Sequence, residues 1–198
     1  MGLDLNYIKG QTPIDEDEKE GLKIKTISTR GELDEFEQAN IENAVEWSLK
    51  RQYSYDQILT IDFVKTVHQR MFSEVWEWAG TFRKTNKNIG VDKYTIEQNL
   101  HVLMNDCIFW IENNTYSEEE IAIRFKHRLV KIHPFPNGNG RHSRLCADIL
   151  ISHSFGKPVF TWGGKDLTDQ SETRTKYLEA IYQADQENIE LLLQFSRS

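Results

Sequence analysis

Residues 132–145, Ile-His-Pro-Phe-Pro-Asn-Gly-Asn-Gly-Arg-His-Ser-Arg-Leu, constrain this chain more than any other stretch. An apolar helical pattern runs up to His133 and stops at Pro134, because the residue before a proline is pushed out of the α region. Gly138 and Gly140 then open a tight loop that feeds a second helix from about Asn139. A helix start of this kind presents unpaired N–H groups and the positive end of the helix dipole to whatever lies in front of it. The stretch predicts two core helices meeting at an anion-binding loop.

Its side chains sharpen that expectation. Arg141 and Arg144, three apart, share one face of the first helical turn. The dipole disfavours cations there, so the two arginines and His142 call for an outside anion. A polyphosphate suits them, since the guanidinium fork matches phosphate oxygens. His133, at the edge of the same loop, has an ordinary pKa suited to taking a proton near neutral pH.

The stretch resembles the signature of Fic-domain proteins: His, any residue, Phe, any residue, an acidic residue, Gly-Asn-Gly-Arg, two residues, Arg. His133, Phe135, Gly138, Asn139, Gly140, Arg141 and Arg144 match it, and Asn137 stands where the family has its acid. The resemblance covers about residues 60–195. It implies an all-α, Fic-type helical bundle with a small β-hairpin flap. It also implies a protein adenylyltransferase that moves AMP from ATP to a hydroxyl of a target protein. On that basis His133 is the general base and Phe135 the buried anchor of the loop. The N–H groups from Gly138 to Gly140, with the Asn139 side chain, hold the α-phosphate, and Arg141 and Arg144 neutralise the outer phosphates. Asn137 is the expected Mg²⁺ ligand, with an oxygen but no charge.

Two further expectations come with the resemblance. Residues 81–94 alternate and then turn at Asn88–Gly90, which predicts a short hairpin whose edge can hold an extended peptide. Lys87, Asn88, Ile89 and Gly90 are similar in place to the flap where the family's target segment docks. Many Fic proteins are also restrained by a helix carrying Ser or Thr, three residues, Glu, then Gly or Asn. Glu42-Asn43 fits the end of that pattern with Gln38 in place of the hydroxyl residue, and Glu187-Asn188 fits it equally. Glu42, on a helix ahead of the core, is the better inhibitory candidate. The layout is also similar to the short Fic proteins of mobile elements labelled "mobile mystery protein B", which implies a small helix-turn-helix regulator or antitoxin as a partner.

The remaining chain fits one domain divided into an N-terminal arm and accessory helix, residues 1–55, and a catalytic core, residues 56–198. A net charge of −7 and a pI near 5.4 argue against direct nucleic-acid or membrane-surface binding. No stretch approaches the roughly 20 apolar residues of a membrane helix. The start lacks the basic flank and apolar core of a signal peptide. Cys107 and Cys146 fall on apolar helix faces, as reduced thiols of a cytoplasmic protein would.

Taken in order, residues 1–27 read as a solvated acidic arm, and Thr29-x-x-Glu32 as a capping box. The helix it opens runs to about Arg51, with Leu33, Phe36, Ile41, Ala44, Val45 and Leu49 near helical spacing. Further helices are predicted from Thr60 to Phe72, from Glu97 to Asn113 and from Ser117 to His133. Another runs from Asn139 to about Gly156, a loop spans 157–171, and two short helices close the chain.

Two other readings compete. Relatives of the Doc toxin, with the same fold, phosphorylate their target, but their loop has Ala and Lys where this chain has Gly138 and Gly140. A catalytically weak binding module would explain Asn137, against the intact His133, Asn139, Arg141 and Arg144.

Overall fold

Side-chain caps start the main helices. Thr29 accepts from the Glu32 amide, Thr60 from Phe63, Ser117 from Glu120 and Ser171 from Arg174. Each such cap is worth about 1 kcal/mol. The computed structural model describes residues 13–164 and 171–198. Its elements are α1 (Glu16–Glu20), α2 (Arg30–Leu49), α3 (Tyr55–Ile58), α4 (Ile61–Phe72), α5 (Ile96–Glu112) and α6 (Glu118–Ile132). They continue with α7 (Asn139–Ile149), which ends in a π-helical turn at Leu150–Ser154, then α8 (Glu172–Asp185) and α9 (Glu190–Ser196). The predicted helices from Thr60 to Gly156 appear within a few residues of their expected bounds. Part of the predicted 157–171 loop and of the N-terminal arm lies outside the described residues.

The joined helices α6 and α7 pack on each other, α5 and α9 pack on α6, and α4 packs between α7 and α2. One hydrophobic core runs through all of them, from Leu33 and Ala44 on α2 to Phe125 and Leu129 on α6 and Cys146 and Leu150 after the loop. The helix read as an accessory thus shares the core. Cys107 and Cys146 are buried free thiols, and burial pushes the Cys107 thiol up to about 12.

Three local expectations change. The inward face of α2 is Leu33, Glu37, Asn40, Ala44 and Ser48, while Phe36 and Leu49 are exposed. The buried polar groups are tolerated because they are bonded: Glu37 accepts from Trp76 Nε1 at 2.7 Å, and Asn40 bridges the Arg70 carbonyl and the Glu74 amide. The described part of the arm keeps most of its polar residues exposed but is pinned to the domain. Ile14, Leu22 and Ile27 are buried, and an antiparallel bridge joins Leu22 to Trp76.

The third change is the flap. Among the described residues 81–94 no strand forms. Arg83 is buried and its guanidinium donates to the carbonyls of Thr85 and Val91, filling the interior of the loop where a ladder would run. Side-chain bonds close the segment on itself, and its Arg83 and Val91 amides bond to the neighbouring loop.

Candidate active site

The carbonyls that end a helix need donors from elsewhere, and here the 83–91 segment supplies them. The Val91 amide donates to Ile132 at 3.3 Å, the Arg83 side chain to His133 at 2.7 Å, and the Arg83 amide to Pro134 at 2.9 Å. These bonds hold His133 in the left-handed conformation (φ 55°, ψ 60°) that turns the chain out of α6. Gly90 lies against it so closely that a Cβ there would meet His133 Cβ at 2.7 Å.

His133 is buried and lines a cavity of about 590 Å³. Burial, aided by the Arg83 charge, lowers its pKa to about 4, and a backbone hydrogen bond to Val130 opposes the shift. The imidazole is therefore neutral at physiological pH. One ring N–H serves Val130, which leaves the other nitrogen as a proton acceptor.

Phe135 is fully buried and stacks on His68 with ring centroids 3.8 Å apart. His68 received no role from the sequence, yet it organises the loop. The Gly80 amide donates to its Nδ1 at 3.0 Å, so its Nε2–H is the donor to the Asn137 carbonyl, also at 3.0 Å. Burial keeps its pKa well below the usual range, which preserves that single tautomer.

Beyond Asn137 the chain turns at Gly138, in the left-handed region (φ 76°), where a Cβ would meet the Phe72 ring at 2.5 Å. Only glycine fits there. Asn139 then departs from its expected role. Its side chain accepts from the Phe135 amide at 3.0 Å and donates to the Phe135 carbonyl at 2.8 Å, so both of its groups are spent closing the loop. His142 also departs. It is fully buried and hydrogen-bonds the Val64 carbonyl, and burial lowers its pKa to about 4. It is a core residue, on a different face of α7 from the two arginines.

Gly138, Asn139, Gly140, Arg141 and Arg144 all line the cavity. Arg141 donates to Glu37 at 2.6 Å and lies over the Phe72 ring, while Arg144 lies over the Tyr177 ring. Tyr177 in turn accepts from the buried Lys126 at 2.6 Å. Across the cavity Val130, Leu178 and Ile181 form an apolar wall ending at His127 and Asp185, which pair at 3.0 Å.

The proposed metal ligand does not fit a resident magnesium ion. The Asn137 side-chain oxygen accepts from the Gly138 amide at 2.7 Å. Among the described residues, no group of three His, Cys, Asp or Glu is placed to hold a metal. Glu42 is exposed and bonds Gln38, outside the cavity, and the α2 glutamate that meets a signature arginine is Glu37. Glu187 is exposed in the turn after α8. Of the flap residues, Ile89 and Gly90 line the cavity, and Lys87 is held by Asp15 and Glu18 at 2.8 and 2.6 Å.

Residues 58–151 match the family model described as Fic/DOC. Over these residues the chain is similar to the Fic/DOC family. The protein adenylyltransferase Fic of Aedes aegypti is 26% identical over 141 residues, which is 69% of this chain and 27% of that protein. The chain thus spans about a quarter of the length of the curated relatives it matches. The N-terminal Fic domain of a VirB-translocated Bep effector protein from Bartonella quintana superposes with a TM-score of 0.70 at 18% identity, covering 88% of this chain and 84% of that one. The BepC protein of Bartonella tribocorum, with bound AMPPNP, gives 0.66 at 19% identity over 96% and 93%. The fold is therefore that of a Fic domain. No helix among the described residues is long and apolar enough to cross a membrane.

Around the Fic signature the structure adds residues that sequence reasoning passed over: His68, Arg83 and Glu37 support it, and Arg30, Arg174 and Tyr177 line its cavity. Arg30 and Arg174 carried a usable signal. Each follows a capping Thr or Ser within the first turn of a helix, where a cation is as unfavourable as Arg141 is in α7.

Proposed function

We propose that the protein transfers AMP from ATP to a hydroxyl side chain of a target protein. The observation that carries this reading is the meeting, in one cavity, of a neutral His133 with the N-terminus of α7 and its two arginines. The curated relatives named protein adenylyltransferase, and the AMPPNP bound to the BepC protein, support it.

In this reaction the target hydroxyl gives its proton to the unprotonated ring nitrogen of His133 as its oxygen bonds to the α-phosphorus. The bond from that phosphorus to the β-phosphate oxygen breaks, and pyrophosphate leaves with the electron pair. Charge grows on the α-phosphate oxygens in the transition state, and the unpaired amides of the first turn of α7 face it. Arg141 and Arg144 hold the departing phosphates. Magnesium counts here as part of the incoming nucleotide, and no step is assigned to it. The target segment enters past Ile89, which is 46% exposed at the cavity mouth.

Incubating the protein, alone and in a cell lysate, with ATP labelled at the α- or the γ-phosphate tests the reading. Label from the α position should appear on protein. Transfer of γ-label would instead make it a kinase, and no transfer of either would make it a binding module. His133→Ala should cut transfer by about 100-fold or more while nucleotide affinity stays near wild type, because the histidine moves a proton and holds no phosphate. Transfer at the wild-type rate in that variant would sink the assignment.

A further inference from the structure

Arg30 and Arg174 lie outside the signature and outside residues 58–151, yet both line the cavity beside Arg141 and Arg144. Arg30 is the first residue of α2, Arg174 is in the first turn of α8, and Arg141 is in the first turn of α7. Three helix N-termini therefore bring guanidinium groups to one space. The dipole of each helix opposes a cation at that end, so the placement has to be offset by contacts from elsewhere. The groups are near enough to feel one another. Burial first, and then the charges of Arg144 and Arg30, push the Arg174 pKa below its usual value, against a favourable contribution from Tyr177.

The carboxylates of α2 balance this charge in part. Asp34 takes Arg30 Nε at 3.1 Å, and Glu37 takes Arg141. Each guanidinium presents five N–H donors in a fixed fork, so one carboxylate contact leaves donors for a phosphate. The nucleotide's direction follows from α8. From Arg174 to Asp185 is eleven residues (185 − 174), about 16 Å along the axis. The cationic end lies at Arg174, and the apolar wall of Leu178, Ile181 and Val130 lies toward Asp185. A phosphate chain extends naturally to the first and a nucleoside to the second.

We propose that Arg30 and Arg174 bind the terminal phosphate of a nucleoside triphosphate, so that α2 completes the phosphate site from outside the matched domain. The proposal rests on the nucleotide reading of the cavity, and it makes the preferred ligand a triphosphate over a di- or monophosphate. It gives α2 a direct part in holding substrate.

Binding of AMP, ADP and ATP, measured by calorimetry on the full chain without any target, tests it separately from transfer. Wild-type affinity should rise with each phosphate. Arg30→Gln and Arg174→Gln should each weaken ATP by about 10-fold or more and leave AMP within about 2-fold, so that ATP falls toward ADP; tenfold is the size expected of one lost charge-assisted contact. An equal loss for AMP and ATP in folded variants, or an unchanged ATP affinity, would overturn it. If a variant fails to fold, inorganic tripolyphosphate on the wild type decides. It should compete with ATP better than pyrophosphate does, and failure to compete overturns the proposal. Normal phosphate dependence without any transfer of label would sink the adenylyltransferase reading and leave this one standing.

Discussion

Gly140→Ala separates what this loop needs for folding from what it needs for its ligand. A Cβ built at Gly140 meets no atom within 4 Å, and the residue lines the cavity. The substitution costs no packing, and in a helix alanine is favoured over glycine by roughly 0.5–1 kcal/mol. Taking the lower figure for a first-turn position, the melting temperature should rise by about 1–2 °C for a chain of this length. The same methyl group stands in the open space through which a phosphate reaches the amides of α7. Pushing the phosphate away from one such amide loses a charge-assisted bond of about 1.5–3 kcal/mol. ATP should then bind about 10- to 100-fold more weakly. Thermal melts and calorimetry with ATP read both quantities on one sample. A variant at least as stable as wild type that binds ATP equally well would refute the idea that phosphate approaches the backbone here. Gly138→Ala is the contrast: a positive φ and a 2.5 Å approach to Phe72 make it a folding defect first.

Removing the Arg83 side chain strands the buried carbonyl of His133, so Arg83→Ala should cost about 2–4 kcal/mol in a denaturant melt and lower kcat more than it raises KM. Arg83→Lys cannot span the same carbonyls and should rescue little. Glu37→Gln keeps an acceptor for Trp76 but removes the charge beside Arg141, so ATP should bind several-fold tighter, whereas Glu42→Gly should leave the dissociation constant unchanged. An unchanged constant in the first variant, or a shifted one in the second, contradicts these placements. Stability should also fall with acid. His133 and His142 have folded pKa values of about 4 against 6.5 unfolded, so the unfolded chain takes up protons first as the pH drops below about 6.5. Asp148, raised by burial to about 6 from 3.8, acts in the opposite sense over the same range. From pH 7.5 to 5.5 the two histidines lose roughly 1.4 kcal/mol each and Asp148 returns about 0.8, a net loss of about 2 kcal/mol to which His68, also held well below its usual pKa, adds in the same sense. The melting temperature should drop by about 4–8 °C, and a flat profile would mean that the histidines are not buried as described.

The sequence carried the helices well because their signals are local. Thr29, Thr60 and Ser117 each announce a cap, and Pro134 with Gly138 marks the break between α6 and α7. It failed where a distant partner decides. Glu37 and Asn40 look solvated until Trp76, Arg70 and Glu74 are seen to satisfy them, and that rotates the buried face of α2 away from Phe36 and Leu49. Residues 81–94 alternate like a hairpin, but a buried guanidinium outcompetes the ladder for their carbonyls. His142 stands beside Arg141 in sequence and points to Val64 in space. A signature shows which residue types meet at a loop, and the inward or outward turn of each depends on helices packed behind it.

That distinction bears on how the proposed base would act. His133 occupies a backbone region that costs a non-glycine residue about 1–2 kcal/mol. Its amide donates to Leu129 at 3.2 Å, its carbonyl accepts from Arg83, and its ring bonds Val130. Backbone and ring are thus tied on three sides by groups of the protein itself. Its conformation is set when the chain folds, and ATP spends none of its binding energy ordering it. Preorganisation of this kind favours the transition state over the bound substrate, since the base is in place before charge develops. Tightening nucleotide binding should therefore leave His133 where it is. Freeing Arg83 should loosen it without touching the phosphates.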